Sequence, residues 1–241
     1  MREFSGFMGV IYGSTEWIMR FSTINIIWFL MNVPITFIIL SLYLNNFGIE
    51  FVLSLLPLLL FIPALFIPST IAMFATVRDW VLKKDQSSLT KAFFAYMKSD
   101  YKKSFLSGLI LMSIWLIWIA DFYYFSKNDL LRMIFLIVGV TLFVYSIIFF
   151  ALSVHYQMGI KKLIIHTFFV TVGNPILFFF VLTSNLVLFY LSATKVLFLF
   201  PLFTGSLSAY LCFAVFYRLT LKIENKTLTN KLVNKYNRSV D

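Results

Sequence analysis

Apolar residues fall into six long runs, at about 22–44, 51–77, 104–125, 130–154, 163–191 and 196–217, and most charged residues are gathered between them. The runs lack the apolar/polar alternation of barrel strands, so they predict α-helices. The first measures roughly 34 Å as a helix, enough to cross a hydrocarbon core of about 30 Å. The pattern predicts an all-α membrane protein, a single domain over 1–241, with six transmembrane helices bundled and the tail 218–241 outside the membrane.

The polar residues that interrupt the pattern carry most of its information. Pro57, Pro63 and Pro68 crowd the second run. Each removes a backbone donor and clashes with the preceding turn, which predicts a kink or break near 63–68. The fifth run would measure roughly 43 Å as one helix, so it must tilt, protrude or break, and Gly173, Asn174 and Pro175 supply the break. Two interrupted helices meeting in a bundle are the pattern of a transporter site.

In the first run Asn25, Trp28, Asn32 and Thr36 recur at helical spacing, and Asn185 lies eleven positions beyond Asn174, almost in phase. An amide facing lipid would forfeit its hydrogen bonds. Asn25, Trp28, Asn32, Asn174 and Asn185 therefore form a candidate intramembrane polar site. The competing expectation for each is a hydrogen bond between helices, worth about 0.6 to 2 kcal/mol.

Two amphipathic helices are predicted outside the spans. Phe4, Phe7, Ile11 and Ile18, with the Glu16–Arg20 pair, predict a short interfacial helix before the first span. Residues 78–103 carry seven Lys and Arg against three Asp. Ser87 or Ser88 is placed to cap a helix there, with Leu89, Phe93, Tyr96 and Met97 on one face and Lys91, Lys98 and Lys102 towards another. Such a surface attracts anionic lipid of the inner leaflet by about 1 kcal/mol per basic residue.

Composition agrees: 61% hydrophobic and 12% charged residues leave too little polar surface for a soluble globule. The net charge of +10 is a topology signal. With both termini inside, seventeen Lys and Arg fall on the inner side and three, Lys127, Arg132 and Lys195, on the outer. That is the positive-inside arrangement of a bacterial cytoplasmic membrane protein. Charge spread over separate loops without a binding motif gives no nucleic-acid reading.

Chemistry is sparse. The sequence has no phosphate-binding G-x-x-x-x-G-K-[ST] loop, no H-E-x-x-H, no G-x-S-x-G and no carboxylate pair within a span. His155 and His166 lack companions at metal-ligand spacing, and the single Cys212 lies in an apolar run with Pro201, Gly205 and Ala209, a small-residue seam for close helix contact. Neither catalysis nor a cofactor is expected. Trp115, Trp118, Tyr123 and Tyr124 predict an aromatic belt at the outer interface.

Three stretches point to a family: N-I-I-W at 25–28, P-S-T-I-A-M-F-A-T-V-R-D-W at 68–80 and F-F-A-Y-M-K-S-D-Y-K-K-S-F at 93–105. Together they resemble the YesL-like family of bacterial integral membrane proteins, whose genes commonly lie beside those for carbohydrate uptake and degradation. The resemblance implies a non-catalytic accessory or regulatory partner of a carbohydrate (ABC-type) uptake system. It makes Pro68, Arg78, Trp80, Lys98, Lys102 and Lys103 a candidate family-motif and partner surface. The two alternatives are a small-solute (sugar or oligosaccharide) transporter or channel in its own right, and a lipid-interacting structural protein.

Overall fold

The computed structural model describes residues 7–44, 49–84, 86, 88–196 and 198–240. Among these the chain is wholly helical, without strands. Five helices are long and apolar enough to cross a membrane: Leu55–Val81, Tyr101–Phe125, Asp129–His155, Pro175–Thr194 and Phe200–Asn225. A bent pair, Tyr12–Met31 with Val33–Leu44, makes a sixth span when taken as one.

The first predicted span is therefore not one straight helix. Helix α1 (Phe7–Met31) gives way to α2 (Val33–Leu44) across a 60° bend at Asn32. Pro34 explains it, because its ring cannot donate and pushes against the carbonyl one turn back. Nor is there a separate interfacial helix before the span: residues 7–20 are the first turns of α1, with Arg20 Nε donating to Glu16 Oε1 at 3.1 Å. Residues 45–48, between the first two runs, lie outside the described residues, as does Ser87.

The second span stays helical through all three prolines. Helix α3 (Ile49–Phe61) contains Pro57, a π-helical turn at Ile62–Phe66 contains Pro63, and Pro68 stands in the first turn of α4 (Ile67–Val81). The wider π turn accommodates the missing donor without breaking the rod. Its end lies four residues beyond the predicted 77, which brings Arg78, Asp79 and Trp80 into the helix. Leu82 and Lys83 close it: Lys84 N–H donates to Asp79 O and Lys83 N–H to Trp80 O, with Lys83 at φ 54°. This is a Schellman turn with lysine where glycine is usual.

Ser88 caps α5 (Leu89–Ser99), its hydroxyl accepting from Lys91 N–H. Asp100 alone separates α5 from α6 (Tyr101–Phe125), and Asn128 caps α7 (Asp129–His155). The fifth run is two helices, α8 (Ile160–Gly173) and α9 (Pro175–Thr194), and only α9 has the length to span. A second π turn, Phe200–Thr204 around Pro201, leads into α10 (Gly205–Val240), so the tail is a continuation of the last span.

At the centre lies α4, thirteen of whose fifteen residues are buried, against α1, α5, α6, α7 and α10. Close approach is built in at Gly139, where an added Cβ would stand 2.2 Å from the Trp118 ring. Trp118 donates to Phe135 O and Trp115 to Ser146 Oγ, so these two indoles clamp α6 to α7. Of the predicted belt, Tyr123 and Tyr124 stand exposed.

Candidate functional site

The polar stripe of α1 meets both proline turns. Asn25, fully buried, donates from Nδ2 to Phe200 O at 2.9 Å and accepts at Oδ1 from Ser206 N–H at 2.9 Å. It thus spans the Pro201 turn from end to end, and Ser206 Oγ returns a bond to Phe21 O. One helical turn on, Trp28 Nε1 donates to Thr70 Oγ1 at 3.0 Å, and Thr70 donates to Phe66 O in the Pro63 turn. Asn32 Nδ2 donates to Trp28 O and to Ser69 Oγ, while its Oδ1 is buried without a partner. Thr36, past the bend, is exposed and bonds back to Asn32 O.

The other two amides lie apart from this stripe. Asn185 accepts from Ser208 Oγ at 2.6 Å and donates to Val181 O, holding α9 to α10 two residues beyond Ser206. Asn174, at the α8–α9 break, donates to Val170 O and borders a cavity of about 440 Å³ with His155, His166, Phe216 and Glu224. None of the Pro63–Pro68 residues borders that cavity. Asn25 and Asn185 are brought to opposite sides of one turn of α10, and Asn174 is not brought to them.

At the other end of α4 the expected surface turns inward. Pro68 and Trp80 are buried, and Arg78 is bonded through Nε and Nη2 to Asp79 Oδ1 and through Nη1 to Val154 O at 2.6 Å. Asp79, 3% exposed, is the hub: Gln86 Nε2 and the Tyr96 hydroxyl both donate to its Oδ2. Gln86 in turn accepts from Trp80 Nε1, and the Arg78 guanidinium lies 5.5 Å from the Tyr96 ring centre. A buried carboxylate is stable here because its lone pairs are met by four donors, two of them from the one Arg78 guanidinium. Burial, then the bond to Asp79 and its charge, push the Tyr96 phenol above its ordinary value, so it remains a donor.

The sequence reading counts Asp79 only among the three Asp of 78–103 and misses this hub. The available signal was an Asp between Arg and Trp at a helix end, followed by an amphipathic helix whose apolar face carries a tyrosine. Lys98, Lys102 and Lys103, by contrast, border an open groove between the α1–α2 bend and the α5–α6 junction. Among the described residues no three His, Cys, Asp or Glu side chains could together hold a metal ion. The arrangement clamps helices and presents one basic groove.

Residues 21–122 match the family model described as "Protein of unknown function, DUF624". Over these residues, under half of its length, the chain is similar to that family. The matched segment holds the second half of α1 from Phe21, the bend, the Pro63 turn, the Asp79 hub and the basic groove. Two curated proteins of Bacillus subtilis (strain 168) are similar. "Uncharacterized protein YteU" is 26% identical over 227 residues, covering 92% of this chain and 90% of YteU. "Uncharacterized protein YesL" is 23% identical over 161 residues, 66% of this chain and 65% of YesL. The YesL-like resemblance read from 25–28, 68–80 and 93–105 is borne out. No solved structure matches the chain.

Proposed function

We propose that this multi-pass membrane protein is a non-catalytic accessory partner of a bacterial carbohydrate uptake system, with both termini in the cytoplasm. The observation that carries the reading is the use made of the polar groups inside the bundle. Asn25, Trp28 and Asn185 are each spent on a neighbouring helix, which leaves little polar lining for a solute path. The carbohydrate connection is what the YesL-like resemblance implies, and the sidedness rests on the excess of Lys and Arg in the segments assigned inside.

An accessory protein needs an element that reaches beyond its own bundle. Helix α10 continues to Val240, fifteen residues past the end of its span at Asn225, and its sequence there carries Lys226, Lys231, Lys235 and Arg238. We assign the docking role to that extension. The test is co-purification of the tagged full chain from its native membrane in a mild detergent. A permease or solute-binding subunit is expected in fixed ratio, and Lys231→Glu with Lys235→Glu is expected to cut its recovery at least several-fold. Recovery of the chain alone would overturn the reading.

A further inference from the structure

The basic groove has a shape and chemistry of its own. Its volume is about 860 Å³, and its borders are of two kinds: Met31, Phe94 and Met97 are apolar, and Lys98, Lys102 and Lys103 are cationic. The ion pairs of the described residues are Arg20–Glu16, Arg78–Asp79 and Arg132–Asp129, so none of the three ammonium groups is neutralised by a carboxylate. Asp100 also borders the groove, leaving three positive charges against one negative. It precedes α6 without a side-chain cap, so it does not occupy the N–H groups of that helix's first turn, which add to the positive potential.

Geometry extends the groove along the bundle wall. Lys102 and Leu106 stand one turn apart on the same face of α6, and Leu106 is exposed. Phe94 and Tyr101 are exposed too, and the Tyr101 hydroxyl donates to Ala64 O in the Pro63 turn, fixing the α5–α6 junction against that turn. A cationic pocket therefore opens directly onto an apolar strip.

We propose that this groove is a binding site for one anionic phospholipid. Lys98, Lys102 and Lys103 hold its phosphate, and the acyl chains lie along Met31, Phe94 and Leu106. A zwitterionic lipid carries the same phosphate with a cation that the three lysines repel. A free phosphate leaves the apolar wall uncovered. The inference does not depend on the accessory reading, whose docking element is the end of α10.

The test uses the full chain in mild detergent, with retained lipid counted by native mass spectrometry after titration with phosphatidylglycerol or phosphatidylcholine. One phosphatidylglycerol is expected to be held roughly tenfold or more in preference to phosphatidylcholine. Lys98→Gln, Lys102→Gln and Lys103→Gln together should remove that preference. Lys161→Gln with Lys162→Gln, an exposed pair elsewhere, should leave it intact and shows whether the effect is local. Equal retention of the two lipids, or equal loss in both variants, would overturn the proposal. Displacement of the lipid by an equal concentration of glycerol phosphate would reassign the groove to a soluble anion, and displacement by an acidic peptide would reassign it to a protein, each contradicting the lipid site. An unchanged elution profile and melting temperature establish that the variants are folded.

Discussion

At the residue scale, two side chains carry most of the specificity. Asn25 serves both ends of the Pro201 turn, so Asn25→Ala strands the half-buried Phe200 carbonyl and the buried Ser206 N–H together. Leaving a buried polar group unmet costs about 1–3 kcal/mol. Asn25→Ala is therefore expected to lower the melting temperature in detergent, while Thr36→Val, at an exposed position, should leave it nearly unchanged. Gly205→Ala should act on the same contact, since its Cβ would stand 2.9 Å from Asn25 Oδ1, which cannot retreat without losing Ser206. Were Asn25→Ala as stable as the native chain, the clamp would be wrong.

Tyr96 is the second. Tyr96→Phe removes one donor from Asp79 and should cost about 1–3 kcal/mol, with faster tryptic cleavage at Lys91 and Lys98 as α5 loosens. Because the phenol's folded pKa is raised above its ordinary value of 10.0, its contribution is fully present below that pH and is lost as pH rises through the folded value. Melting of the native chain should show this loss only above pH 10, and Tyr96→Phe should not show it.

At the element scale, the Schellman turn after α4 holds Lys83 at φ 54°. Lys83→Gly should stabilise the chain by about 0.5–1 kcal/mol, measurable as a higher melting temperature, because glycine adopts that conformation without a Cβ penalty. Long apolar runs made an all-helical chain with five to six candidate spans legible in the sequence. What stayed illegible depended on contacts between elements. The kink at 63–68 was expected, but whether Pro63 breaks the helix or becomes a π turn depends on Trp28 and α6 packing beside it. The 60° bend at Asn32 was missed because Pro34 was passed over, although the reasoning applied to Pro63 predicts a kink there too. Asn174 and Asn185 share a phase, yet the α8–α9 break between Gly173 and Pro175 puts Asn174 beside His155 instead of inside the bundle. Asp79 was in plain view, but its partners Gln86 and Tyr96 are joined to it only by the fold.

At the scale of the whole molecule, the proposed sidedness is open to a labelling test. In a Cys212→Ser background, Lys127→Cys should react with an impermeant thiol reagent on intact cells, and Lys235→Cys, beyond the last span, only after permeabilisation. The opposite pattern would invert the orientation drawn from the basic residues. The proposed accessory role rests on where polarity is spent: within the bundle on helix contacts, and outside it on a basic groove.

The claim that the chain itself moves no solute is tested most directly by flux into proteoliposomes of the purified protein, using labelled mono- and oligosaccharides. The account predicts uptake no greater than in protein-free vesicles. Saturable uptake that Asn25→Asp or Asn185→Asp abolishes, without a matching loss of folded protein, would contradict it.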